Sequence, residues 1–469
     1  MIDCMSKTFR PYEMNQRLLL PPDLREWLPE DHLALFVSDV VDSLDLAAIF
    51  QAYEQGDGRG QPPYAPALMV KLLVYAYCTG KPSSRKIERA TYEEVAYRVL
   101  AADQHPDHAS IAEFRKRHLG ALAGLFLQVR RLCQAAGLVK LGHVALEGTK
   151  LKAKASKHKA MSYGRMAAAE QQLAEEVQKL LAEAQTVDAA EDARYGKGKR
   201  GEELPVELAR RESRLRKIRE AKAALEQEAK AEAEVAAAVA RAKLAARQRR
   251  EAETGKKAPG RAPTVPDPEH ARPEATAQRN FTDPDSRIMK DGATKAFAQA
   301  YNAQVAVDSQ AQLIVAAAVT QEANDKQQFV PMLKPVQANL GQRPEKASAD
   351  AGFFSEANVT DKTVDGIELY VPPDHQPHHA PVEVVSGPAL AAGTVGEQMR
   401  QKLKTPQGRA VYKMRKAIVE PVFGQIKEGR GFRHFSFRGL TQVAAEWTVI
   451  CLTHNLLKLF RARACPLTA

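Results

Sequence analysis

The chain has 469 residues, of which 44% are hydrophobic and 27% charged, so it has room for two to four domains and is not a disordered chain. Its net charge of +11 favours a polyanionic partner. The five cysteines form no CxxC pair, which argues against a disulfide framework and a zinc knuckle, and no apolar run approaches the roughly 20 residues that span a membrane.

The positive charge is concentrated near the C-terminus. Residues 401–469 contain 13 Lys or Arg against 3 Glu. The N-terminus lacks the basic-then-apolar pattern of a secretory signal. These features are consistent with a protein of the prokaryotic cytoplasm, where chromosomal DNA is accessible, and with no membrane partner.

Residues 1–140 show apolar residues at helical spacing and predict an all-α N-terminal domain. Its helical runs are residues 33–46, 67–78, 85–100 and 111–135. A unit of this kind suits DNA binding, and the pattern alone equally allows a dimerisation or packing domain.

After the N-terminal helical region the residue pattern becomes typical of β-strands. A strand starts at His143 and is expected to end or kink at Gly148. Residues 166–255 are rich in Ala, Glu, Lys, Arg and Leu, and their apolar spacing predicts two antiparallel helices that share one seam. The seam residues are Leu173, Val177, Leu180, Leu208, Leu215, Ile218 and Leu225.

Residues 256–280 contain several prolines and are interpreted as a linker. From residue 281 to 469 the patterns alternate between strands and helices. Residues 141–165 and 281–469 therefore form one mixed α/β core, and the helical hairpin is inserted into it.

Three acids lie where rigid elements can fix a carboxylate: Glu147 in the first core strand, Asp350 at a strand end before Ala-Gly, and Glu420 in a helix. Carboxylates of this kind can hold two divalent metal ions for phosphodiester chemistry. Tyr412, Arg415 and Lys427 share a broad helix face with Glu420, although Pro421 predicts a break or kink there.

The motifs around these acids resemble those of bacterial insertion-sequence DDE transposases. The stretch from Tyr412 through Arg415, Glu420 and Lys427 to Arg433 is similar to their tyrosine–arginine–glutamate–lysine signature. Ala349-Asp-Ala-Gly-Phe-Phe resembles the segment that carries the second of the family's three acids. Leu146-Glu-Gly-Thr-Lys resembles the segment that carries the first. Asn280-Phe-Thr-Asp-Pro-Asp and His108-Ala-Ser-Ile-Ala-Glu-Phe-Arg resemble further family blocks.

The resemblance implies an RNase H-like catalytic core that cuts and joins DNA at transposon ends. Glu147, Asp350 and Glu420 are then the catalytic carboxylates and the ligands of two Mg²⁺ or Mn²⁺ ions. The implied partners are double-stranded DNA with terminal inverted repeats, target DNA, and further copies of the chain assembled on DNA.

Family members usually carry Asp where this chain has Glu147, and the longer side chain moves the carboxylate by about 1.5 Å. Three alternatives therefore stay open: a catalytically impaired DNA-binding copy or repressor, a metal-dependent nuclease without strand transfer, and a coiled-coil assembly protein.

Residues 429–439 interleave Arg430, Arg433 and Arg438 with three phenylalanines. Together with Tyr412, Arg415 and Lys427, these arginines are the predicted DNA-binding residues. The phenylalanines are expected to be core residues rather than stacking platforms for bases. His375, His378 and His379 are expected in an exposed loop rather than in a metal site.

Overall fold

The computed structural model describes residues 23–54, 62–195, 206–291, 295–374 and 393–464. Its first part is helical, and local signals set the helix starts. Pro66 occupies the first turn of one helix, and the Asp107 carboxylate caps another by accepting from the Ala109 and Ser110 amides. The helices are Leu33–Ser43 (α1), Ala47–Glu54 (α2), Pro66–Cys78 (α3), Ser84–Glu93 (α4), Val95–Leu100 (α5) and His108–Ala135 (α6).

The strands of the described chain form a six-stranded mixed sheet and a separate short pair. They are His143–Lys152 (β1), Ala160–Ser162 (β2), Gln278–Asn280 (β3), Arg287–Lys290 (β4), Phe297–Asp308 (β5), Leu313–Thr320 (β6), Lys346–Ser348 (β7) and Glu368–Tyr370 (β8).

In the larger sheet β1 lies between β5 and β7. It is antiparallel to β5 and parallel to β7, which in turn is parallel to β8. On its other edge β5 pairs antiparallel with β4 and β6. The prediction that β1 ends or kinks at Gly148 was wrong, because Gly148 keeps its pairing with Gln304 and the strand continues to Lys152.

Each face of this sheet has its own hydrophobic core. Ala145, Leu151 and Val305 point into a core that also contains apolar residues of α1, α3 and α6. Leu146 and Ala306 point to the opposite face, where they pack with residues of the following helix, Phe329–Leu340. The alternation of side chains along β1 thus seals both faces of the strand that carries Glu147.

The inserted segment consists of two helices, Tyr163–Tyr195 (α7) and Val206–Thr254 (α8). Their antiparallel direction follows from two ion pairs: Glu176 lies 3.5 Å from Arg211, and Glu170 lies 3.0 Å from Arg219. Leu180 is partly buried at this interface, and the Leu208 side chain lies outside the described residues. The buried seam contains Met166, Leu173, Val177, Leu215, Ile218, Ala221 and Leu225.

A short antiparallel pair closes the base of the insertion. Ala160 of β2 pairs with Asn280 of β3, and Ser162 pairs with Gln278. The proline-rich segment after α8 therefore ends in a strand. The sequence pattern could not indicate these strands, since each has three residues and its partner is more than a hundred positions away.

The remaining helices are Phe329–Leu340 (α9), Glu356–Val359 (α10), Val395–Lys404 (α11), Pro406–Gly424 (α12) and Leu440–Ala464 (α13). The break predicted at Pro421 does not occur: α12 continues past it, and a π-helical turn follows at Gln425–Gly429. Pro421 has no N–H for the Ala417 carbonyl, and the Gln312 side-chain amide donates to that oxygen instead, at 2.9 Å.

Among the helices described, none combines the length and the apolar character that a membrane span requires.

Candidate active site

Glu147 lies on the central strand β1, and its carboxylate is paired with a cation. The Arg415 guanidinium of α12 donates to its Oε2 atom. Burial raises the pKa of Glu147 to about 7; Arg415 opposes this shift, and the negative charges of Asp350 and Asp325 add to it. An acid with this pKa sits in a partly desolvated, charge-rich region, as functional carboxylates often do.

Asp350 follows the parallel neighbour of β1. Ala145 pairs with Ser348, the last residue of β7, and continuing this register places Asp350 level with Glu147. The Asp350 carboxylate accepts a hydrogen bond from the Gly352 amide at 2.9 Å, which caps a short 3₁₀ turn at Ala351–Phe353. The sheet therefore brings these two predicted acids together.

The α12 helix adds two of the predicted DNA-binding residues to the same region. The Arg415 guanidinium carbon lies 5.7 Å from the centroid of the Tyr412 ring, and its side chain is buried against Glu147. Burial raises the pKa of Tyr412, Arg415 lowers it, and Asp350 and Glu147 raise it further. The contact between Arg415 and Glu147, and the effect of both acids on the pKa of Tyr412, indicate that one face of α12 lies over both acids.

Lys427 contacts the same strand, β1, slightly further along the chain than Arg415 does. Its ammonium donates to Thr149 Oγ1, two residues beyond Glu147. Burial lowers the pKa of Lys427, and the carboxylates of Asp291 and Glu428 oppose this shift. The π-helical turn after α12 thus places a second cation along β1.

A polar cluster on the α9 side of β1 is the part of the site that the sequence analysis weighed least. Asp325 Oδ1 accepts from Asn302 Nδ2 at 2.6 Å and from Gln304 Nε2 at 2.5 Å, and it lies 3.7 Å from Lys150 Nζ. A Cβ atom on Gly148 would lie within 3.0 Å of this cluster, so any larger residue there would displace these side-chain groups. The sequence carries a signal for it in Asn324-Asp325, a pair that also suits a helix cap.

Glu420 occupies a different position. It is exposed on α12, five residues after Arg415. Among the residues that the structure describes, no three His, Cys, Asp or Glu side chains stand together as a metal-binding group. The arrangement shown thus brings together two of the three predicted acids.

The arginine-rich segment divides into buried and exposed parts. Arg433 and Arg438 are exposed; the first pairs with Glu428 and the second donates to the Lys154 carbonyl at 3.1 Å. Phe432 and Phe435 are buried, which confirms that they are core residues.

Arg430, expected at the DNA surface, is buried instead. Its guanidinium donates to Thr453 Oγ1 at 2.8 Å and to the Ile450 and Tyr77 carbonyls, so it is committed to contacts inside the protein. Burial lowers the pKa of Arg430 to about 10.

The remaining candidate ligands take no part in this site. Cys78, Cys133 and Cys451 are buried free thiols. Cys4, Cys465, His375, His378 and His379 lie outside the described residues.

Comparison with protein families gives two matches. Residues 22–117, which include most of the N-terminal helices, match the family described as Transposase domain (DUF772). Residues 388–460, which include Tyr412, Arg415, Glu420 and Lys427, match the family described as Transposase DDE domain. No curated protein and no solved structure matches the chain. The two matches, which flank the sheet and the insertion in the sequence, together support an insertion-sequence DDE transposase.

Proposed function

We propose that this transposase cuts and joins DNA at the ends of its insertion sequence, with its reaction centre at Glu147 and Asp350. The observation that supports this most directly is their placement. One acid lies on the central strand, the other at the end of the adjacent parallel strand, and both lie under Tyr412 and Arg415. Rigid elements hold each group, as a phosphoryl-transfer site requires.

The core that carries this centre is proposed to be RNase H-like. Three strands in antiparallel succession, β1, β5 and β6, are followed by the short strands β7 and β8, both parallel to β1. The α9 helix packs on one face of β1, and Ile418, Val419 and Val422 of α12 pack on the other. The insertion of α7 and α8 between β1 and β5 leaves this strand order intact, which supports a split core.

The donor set fits a hard divalent cation, since Mg²⁺ and Mn²⁺ prefer carboxylate oxygens. Glu147, Asp350 and Glu420 are the proposed ligands of two such ions. When bound, the pair activates an attacking oxygen and stabilises a leaving oxygen. In the arrangement shown, Arg415 donates to Oε2 of Glu147, so a metal ion would meet a carboxylate that is already paired with a cation.

The cations of the site are proposed to bind DNA phosphates. Arg415, Lys427 and the Tyr412 hydroxyl lie beside the acids, and Arg433 and Arg438 extend the positive surface. Arg430 is left out of this set because it is buried. The DNA is proposed to carry terminal inverted repeats, and copies of the chain to assemble on it in the bacterial cytoplasm.

A second candidate function is a DNA-binding copy with impaired catalysis, which could act as a repressor of its own element. It is favoured by Glu147, whose side chain is longer than that of the usual Asp and whose carboxylate accepts a hydrogen bond from Arg415. A nuclease of the same core that cuts without joining is the third possibility, and a joining assay separates it from a transposase.

Strand transfer on oligonucleotides that carry the DNA flanking the gene tests the proposal. Because about 1 Å of misplacement can cost on the order of 100-fold in rate, we expect Glu147→Asp to raise cleavage and joining. Glu147→Gln should abolish both, since it removes the anionic ligand.

Metal-free DNA binding is the control and should be nearly equal in the parent and both variants. Cleavage by Glu147→Gln at the parental rate would exclude Glu147 as the first acid and make Asp325 the next candidate. Cleavage without joining in every variant would indicate the nuclease.

A further inference from the structure

The two helices of the insertion are unequal in length. Near the base of the hairpin, the Tyr163 hydroxyl donates to Glu226 at 2.6 Å. The α8 helix does not stop there: residues 229–254 carry it about 39 Å further at 1.5 Å per residue. We call residues 229–277 the arm, because the chain after α8 turns back along the helix.

Three contacts show this return. Arg247 donates to the Ala258 carbonyl at 2.6 Å just after the turn. Further back, Lys230 Nζ lies 2.6 Å from a Glu269 carboxylate oxygen, and the turn Pro268–His270 packs against α8. The arm is therefore a helix with an extended strap along one side, and its turn is the distal end.

The charge of the arm is concentrated at that distal end. Residues 241–261 contain eight Lys or Arg and two Glu. One of the eight, Arg247, is half-buried and pairs with Glu251 at 3.1 Å. The other seven are exposed, and none forms an ion pair with an acid in the described ranges: Arg241, Lys243, Arg249, Arg250, Lys256, Lys257 and Arg261.

Several cations nearer the base of the insertion are neutralised within the protein. Arg219 and Lys222 both pair with Glu170, at 3.0 and 2.9 Å, and Lys230 pairs with Glu269. The distal end differs because it presents its cations both along α8 and on the segment after it. Seven mutually repelling charges destabilise an isolated helix end, and a polyanion removes that repulsion.

We propose that the distal end of the arm, residues 241–261, is a DNA-contact surface that binds the phosphate backbone of a duplex without reading its sequence. The inference rests on the proposed function, since it needs DNA as the partner. Lys and Arg supply the charge, and contacts from such side chains to the phosphates position a protein on DNA without reading its sequence.

The test compares two triple variants of the full-length chain. Lys243→Ala, Arg249→Ala and Arg250→Ala remove three exposed cations from the distal end, and Arg210→Ala, Arg214→Ala and Lys217→Ala remove three exposed cations from the other end of the same helix. Alanine preserves helix propensity in both, which circular dichroism checks. Affinity for a double-stranded oligonucleotide is measured without metal over a salt series.

The distal variant should bind DNA on the order of tenfold or more weakly at low salt, with a log–log salt slope reduced by up to about 3, because each phosphate contact contributes roughly 0.9. The matched variant should behave like the parent. Equal slopes for both variants and the parent would overturn the arm inference and leave the transposase proposal standing.

Loss of DNA binding in the parent itself would overturn both. A change in the sedimenting mass of the distal variant at unchanged salt slope would show that the surface joins copies of the chain, which also contradicts the inference.

Discussion

Opposing effects meet at the Glu147 carboxyl. Desolvation favours its neutral form, as do the nearby carboxylates of Asp350 and Asp325, whereas Arg415 favours the ionised form. Desolvation dominates and keeps the pKa near 7. Since the pKa is raised above the ordinary value of 4.5, the folded protein holds this proton as pH rises from 4.5 to about 7, where the unfolded chain has lost it. Stability therefore falls as pH rises through that window, and the loss persists above about pH 7.

The same pKa predicts how metal binding depends on pH. A proton and a cation compete for Glu147, so Mn²⁺ affinity should rise about tenfold between about pH 6 and about pH 8. Calorimetric titration with Mn²⁺ at constant ionic strength measures this. Asp325→Asn removes one charge that raises the pKa and should move the rise to lower pH.

Glu147→Gln is the control for this titration and should bind Mn²⁺ weakly at every pH. Equal Mn²⁺ affinity of the parent protein at both ends of the range would contradict the placement of Glu147 at the metal.

At the scale of elements, amphipathic spacing was sufficient to predict the long helices, including the α7–α8 pair. It was insufficient where contacts between distant parts of the chain decide how far an element extends. The strand β1 continues beyond Gly148 because β5 pairs with it there. The α11 helix, which follows a Pro- and Gly-rich stretch, was not predicted, although Thr394 and Glu397 form a capping box at its start.

In the candidate site, too, motifs indicated some features, and tertiary packing decided others. Motifs indicated Glu147, Asp350, Tyr412, Arg415 and Lys427, which the fold brings to one part of β1. The burial of Arg430 followed from the packing of α3 against α13, which no local pattern records.

Pro421 shows how one element depends on another. The α12 helix lacks one backbone hydrogen bond, and Gln312, in the turn between β5 and β6, supplies a donor to the Ala417 carbonyl. The continuity of the helix that carries Arg415 is thereby tied to the sheet.

A double-mutant cycle tests this dependence. Gln312→Ala should destabilise the parent by about 1 kcal/mol, since it leaves a carbonyl without its donor. Gln312→Ala should cost less in a Pro421→Ala background, where the restored N–H at position 421 satisfies Ala417. Urea unfolding of the four proteins gives the coupling, expected at roughly 0.5–1 kcal/mol. Additive effects would contradict the account.

Over the described part of the molecule, the N-terminal helices and the last helix share one hydrophobic core. Apolar residues of α3, α6 and α13 share a core with one face of the sheet, so the C-terminal basic region is not an independent tail. Arg430 lies at this junction, where it links the Tyr77 carbonyl of α3 to Ile450 and Thr453 of α13. The surplus of positive charge after residue 400 thus includes at least one cation that serves folding.

Because Arg430 is buried whereas Arg433 and Arg438 are exposed, replacing them should have opposite effects on stability and on the salt dependence of DNA binding. Replacing the exposed Arg433 and Arg438 with Ala should lower the log–log salt slope of DNA binding by up to about 2 and change the melting temperature little, because surface substitutions seldom alter stability. Arg430→Ala should destabilise the fold by about 2 kcal/mol, since it leaves buried carbonyls without donors. At temperatures where that variant stays folded, its salt slope should equal that of the parent. Thermal unfolding and salt-dependent binding of the same preparations separate the two effects, and a reduced salt slope in folded Arg430→Ala would return Arg430 to the DNA surface.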